Sequence, residues 1–175
     1  MDRALPTIAI VAVLLVVLLL ILMGWRRRVR RDADAGAGHT PPATRTEPVA
    51  SVAVLYVATT KAGEPLERLA LPGLAFRGRA VVDVFAEGVT LSITGEDPVH
   101  IPVGALDGVG AATFTIDRVV ERDGLVRLSW TTSGRVAADS YLRVIDPADR
   151  EPLLAALGTI LAAATPAEPP TESEV

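Results

Sequence analysis

The sequence predicts a mainly β, α+β domain of seven short antiparallel strands closed by one C-terminal amphipathic helix, carried behind a single membrane-spanning helix. Three observations predict it. First, Leu5–Trp25 (LPTIAIVAVLLVVLLLILMGW) holds no charged residue, and as a helix it would be roughly 31 Å long, about the thickness of bilayer hydrocarbon. Second, β-rich runs between Ser51 and Ile145 are punctuated by turn signals such as Glu87-Gly88, Asp123-Gly124 and Ser133-Gly134. Third, Leu153, Leu154, Leu157, Ile160 and Leu161 recur at helical spacing and form one apolar stripe.

The order of elements begins with residues 1–4, expected outside the cytoplasm, and the anchor at 5–25. Pro6 falls in the first helical turn, where its missing N–H does least harm. Trp25 stands where an interfacial aromatic is expected, and Arg26, Arg27, Arg28, Arg30 and Arg31 follow at once. Only Asp2 and Arg3 flank the other end, so the excess of arginine predicts an N-terminus outside and a domain in the cytoplasm, held at the plasma membrane. A cleaved signal peptide with a site at Ala33-Asp34-Ala35 is the competing reading. The single Arg before the apolar run, the length of that run and the five Arg between it and the site argue against cleavage. The span has no G-x-x-x-G and no ionisable residue, so it reads as an anchor with no transport pathway of its own.

Residues 26–48 read as an Arg-rich stop followed by a Pro/Gly/Ala linker, with His39 solvated in it. The domain is expected at 49–164. Ser51–Thr59 is nearly continuous in apolar character, as a buried first strand is, and Thr60–Leu74 reads as a loop. Arg79–Phe85 and Val89–Ile93 alternate around Glu87-Gly88 as a hairpin. A short strand at Val99–Val103 is marked as an edge or an ending by Pro102, and Leu106–Ile116 is a glycine-weakened strand with a bulge expected at Gly108 or Gly110. Leu125–Thr131 and Ser140–Ile145 complete seven strands. Asp146 suits a helix N-cap and Pro147 the first helical position, with Asp149 and Glu151 complementing the helix dipole. Residues 165–175 (TPAEPPTESEV) read as a disordered acidic tail.

Composition removes several functions. The chain has no cysteine, which excludes disulfides, thiolate metal sites and cysteine nucleophiles. The first 48 residues carry seven Arg against four Asp and Glu, and the other 127 carry ten Lys and Arg against seventeen. An acidic domain has no general attraction for nucleic acid, so none is expected as a partner. No G-x-S-x-G occurs, His100 reads as a solvent-facing strand residue without a placed partner, and Gly108-Val109-Gly110 lacks the context of a dinucleotide loop. The acidic pairs at Glu96-Asp97 and Glu121–Asp123 sit in turns without calcium-loop spacing. No enzyme, metal or cofactor is expected.

Seven strands and a C-terminal helix resemble the pleckstrin-homology (PH) superfold, a bent, partly open barrel with the helix plugging one end. The stretches LYVATTKAGEPLERL (Leu55–Leu69), LAFRGRAVVDVFAEGV (Leu74–Val89) and VHIPVGALDGV (Val99–Val109) are similar to the PH-like domain of small single-pass actinobacterial membrane proteins, loosely labelled export or transport proteins. The resemblance implies no catalytic residues. It does imply a place for an anionic ligand, since phosphoinositide-binding PH domains set basic residues between their first two strands; here these are Lys61, Arg68, Arg77 and Arg79. The expected function is a membrane-anchored, non-enzymatic interaction module for a protein partner or lipid headgroup, the alternative being an accessory subunit of a transport or export complex.

Overall fold

The computed structural model describes residues 4–32, 35–42, 46–112, 114–115, 118–119 and 124–164. It divides the chain into two units, Met1–Asp34 and Ala35–Val175. In the first, helix α1 (Ala4–Asp32) continues past Trp25 through the arginines. Its segment Thr7–Arg27, with mean hydropathy 3.2 and no burial, is long and apolar enough to cross a membrane.

In the second unit the seven anticipated strands form one antiparallel path. These are β1 (Ala50–Lys61), β3 (Gly78–Phe85), β4 (Gly88–Ile93), β5 (Val99–Pro102), β6 (Leu106–Ala112), β9 (Leu125–Thr131) and β10 (Ala137–Val144), in the order β5-β4-β3-β1-β10-β9-β6. The register shifts in β6 between Leu106 and Gly108, at one of the glycines where a bulge is expected. The supposed loop Thr60–Leu74 contains an eighth strand, β2 (Glu64–Arg68), which folds back on the end of β1 through Gly63 at φ 76°. Its prolines and glycine mask this short strand in the sequence. Leu69, Leu71 and Leu74 of the same segment are buried in the core. The run expected as Leu106–Ile116 stops at Ala112. A separate pair, β7 (Phe114–Thr115) and β8 (Arg118–Val119), follows. The turn at Glu121–Asp123 and the tail at 165–175 lie outside the described residues.

Inward side chains of both halves of the sheet share one core, including Val54, Tyr56, Val82, Leu91, Leu128, Trp130 and Leu142. A 3-10 turn at Pro147–Asp149, capped by Asp146 Oδ1 accepting from the Ala148 amide at 2.9 Å, leads into α2 (Arg150–Ala164). Leu153, Leu157 and Ile160 of α2 enter that core, with Leu154 and Leu161 packed at its margin.

Four polar side chains cross the core as a chain of hydrogen bonds. The Trp130 indole donates to Ser140 Oγ at 2.9 Å, Ser140 Oγ lies 2.7 Å from Thr59 Oγ1, and Tyr56 OH lies 2.9 Å from both Thr59 Oγ1 and the Leu74 carbonyl. The indole only donates and the carbonyl only accepts, so one direction satisfies every hydroxyl: Trp130 to Ser140 to Thr59 to Tyr56 to Leu74. Burial pushes the Tyr56 phenol up to about 12, against the opposing hydrogen bond from Thr59.

The segment before β1 departs most from expectation. Instead of belonging to a free linker, Ala35–His39 forms a strap on the domain. The His39 amide donates to the His100 carbonyl of β5 at 2.7 Å, and the Ser133 and Gly134 amides of the β9–β10 turn donate to the carbonyls of Ala37 (3.1 Å) and Ala35 (3.3 Å). His39 Nε2 donates to the Thr131 carbonyl at 2.9 Å, which fixes the proton on that nitrogen. The strap thus joins the first strand of the sheet order to the β9–β10 hairpin near the other end, and it covers an edge that would otherwise stand open. His100 is buried, with Nδ1 3.2 Å from Thr90 Oγ1, and is no solvent-facing residue. The apolar/polar alternation places it correctly opposite Val99 and Ile101, but the pattern does not reveal that its own side is covered.

Candidate functional site

The basic residues singled out in the sequence do not converge. Lys61, at the end of β1, bonds Glu64 Oε1 at 2.7 Å across the β1–β2 turn. That hydrogen bond holds the Lys61 ammonium above its usual range and the Glu64 carboxyl below its own. Arg68 Nη2 donates to the Ala75 carbonyl at 3.1 Å, so its guanidinium ties β2 to the segment before β3. Arg77 is exposed in that segment. Arg79 lies on β3 opposite Leu55, six positions along β1 from Lys61, which is roughly 20 Å of strand.

Arg79 has a different neighbour. Leu55 pairs with Arg79 of β3 on one side and with Arg143 of β10 on the other, so two exposed arginines flank one leucine, their Cα atoms about 10 Å apart. Among the described residues neither guanidinium has a hydrogen bond or ion pair. The adjoining row, two residues along β1, is Val81, Ala53 and Ile145: Val81 pairs with Ala53, and the Ile145 amide donates to the Ala53 carbonyl at 3.2 Å. Leu55, Val81 and Ile145 are 37%, 39% and 43% exposed, so the outer side of β3-β1-β10 is an apolar strip with arginine at one end. At its other end Ser51 Oγ donates to Asp83 Oδ1 at 2.6 Å.

This face explains why Ser51–Thr59 looks like a strand buried on both sides. Val52, Val54 and Tyr56 point inward, whereas Ala53 and Leu55 add apolar character on the solvent side. The unbroken apolar run was the signal for the face. Arg143 escaped because the register between β1 and β10, elements at opposite ends of the domain, is not written locally. Among the described residues no three of His, Asp and Glu approach one another as metal ligands would.

Comparison with known proteins settles the kinship of this domain. Residues 35–158 match the Bacterial PH domain-like family. The chain belongs to that family. The matched span starts at the first residue of the strap and ends within α2, so the PH-like domain includes Ala35–His39. It indicates no catalytic family. A chain in the solved structure titled "The 8S snRNP Assembly Intermediate" has the same fold, with TM-score 0.50 and 10% identity over 78% of this chain and 97% of that one. No curated protein matches the sequence.

Proposed function

We propose that this is a single-pass membrane protein, anchored by α1 with its N-terminus outside, whose PH-like domain is a non-enzymatic binding module in the cytoplasm. The observation that carries it is the joining, in one chain, of Thr7–Arg27 to a PH-like domain. The cations directly after the span, Arg26, Arg27, Arg28, Arg30 and Arg31, support the orientation.

The module meets an anionic partner on the β3-β1-β10 face. An apolar centre with arginine beside it is the usual make-up of a protein-binding surface, and unpaired guanidiniums suit carboxylate or phosphate. Arg79 carries this role together with Arg143, while Lys61 and Arg68 are engaged within the domain.

Two measurements test the reading. Protease added to intact cells should leave the domain whole, whereas protease added to inverted membrane vesicles should digest it. Protein or lipid recovered with the full chain from solubilised membranes should be lost with Arg79→Glu/Arg143→Glu. Cleavage from outside, or equal recovery by both chains, contradicts the proposal.

A further inference from the structure

The strap bridges the edge of β5 to the β9–β10 turn through backbone groups, yet it adds little to the core. Three backbone hydrogen bonds hold it, with the His39 ring on Thr131 and the Ala37 amide on Ser133 Oγ at 3.0 Å. Ala35 is its only buried apolar side chain. Releasing it would therefore give up hydrogen bonds that water can replace, the burial of the Ala35 methyl group and the cover that Gly38 gives Val99. What remains is a gap between the outer edge of β5, where the His100 carbonyl loses its donor, and the β9–β10 turn, where the Ser133 and Gly134 amides lose their acceptors.

The fit selects the segment. A side chain at Gly36, which has φ 70°, would place its Cβ 2.6 Å from the Gly134 nitrogen and closer still to Ser133 Oγ. At Gly38 the Cβ would lie 2.6 Å from Val99 Cγ1 and 2.9 Å from the His100 carbonyl oxygen. A chain with side chains at those positions is shut out, while Gly-Ala-Gly-His fits.

We propose that this gap between β5 and the β9–β10 turn is a docking site for an extended segment, that the strap is its built-in occupant, and that the strap of a second copy of this chain can take its place. The exchange restores every bond that release removes, so its cost is that of bringing two copies together. Confinement of the copies in one membrane lowers that cost, a point that rests on the anchor proposed above. Pro41 and Pro42, one residue beyond the strap, favour an extended connection.

The absence of cysteine permits a clean test. Ala37 and Ser133 share three hydrogen bonds across the site, which bring the two residues into direct contact. Full-length Ala37→Cys and Ser133→Cys chains are reconstituted together in phosphatidylcholine vesicles and mildly oxidised. Exchange predicts covalent dimer at least fivefold above either variant alone, falling to that background when Gly38→Ala is added to the Ala37→Cys chain. The Ala37→Cys/Ser133→Cys chain should close its disulfide internally. No excess of dimer in the mixture, or an excess indifferent to Gly38→Ala, overturns the proposal, and failure of the internal disulfide overturns the docking of the strap itself. The vesicles contain no anionic lipid or partner, so the outcome is independent of the binding face. If the chain does not float with the vesicles, the anchor is what fails, and the same gel reads exchange in free solution.

Discussion

Helix α2 and the strap both close the sheet, with different atoms. α2 drives Leu153, Leu157 and Ile160 into the core and would be recognisable from its apolar spacing in any chain. The strap buries one alanine and acts through backbone groups, held close by two glycines. Closure by side chains is written in residue type. Closure by backbone looks the same in sequence as a flexible linker.

The largest expected effect separates the two. Leu157→Ala removes a fully buried side chain and should lower the unfolding free energy of the domain by about 2–5 kcal/mol, measured by denaturant titration of the full chain. Gly38→Ala should cost less, on the order of 1–2 kcal/mol, because the strap can leave the sheet rather than force the clash into the core. A loss equal to that of Leu157→Ala would erase the distinction and make the strap part of the core.

Tyr56→Phe probes the core that both elements enclose. It leaves the Leu74 carbonyl without its donor and should cost roughly 1–3 kcal/mol near neutral pH. The folded phenol titrates at about 12, above its unfolded value near 10, so the native state holds the proton longer. That contribution is fully present below about pH 10 and is lost as pH rises toward 12. The stability gap between the parent and Tyr56→Phe should therefore narrow by about 2–3 kcal/mol over that window. A gap constant from pH 8 to 11.5 would mean that the phenol is not buried as described. Smallest of all, Arg79→Ala and Arg143→Ala should change stability by no more than about 0.5 kcal/mol, since each is exposed and its guanidinium has no partner among the described residues.

The same division explains what the sequence made legible. The seven strands, α2 and the apolar run of α1 follow from periodicity and turn chemistry, and all are present. β2 was hidden by Gly63 and Pro65, residues that ordinarily signal loops. Of the four basic residues grouped by nearness in sequence, only Arg79 lies on the candidate face. Its true neighbour, Arg143, is supplied by the pairing of β1 with β10, a long-range register that no local pattern encodes. His100 sits on β5 where a solvent-facing residue is expected but is buried, since a lone polar residue beside Val99 and Ile101 carries no local sign of what covers it.

Amide hydrogen exchange on the full chain tests the central claim, that Ala35–His39 belongs to the PH-like domain, most directly. The amides of His39, Ser133 and Gly134 should exchange at least tenfold more slowly than in a free peptide of the same sequence, and faster than those of β1 and β10. Exchange of the His39 amide at the free-peptide rate, with β1 still protected, would contradict the account.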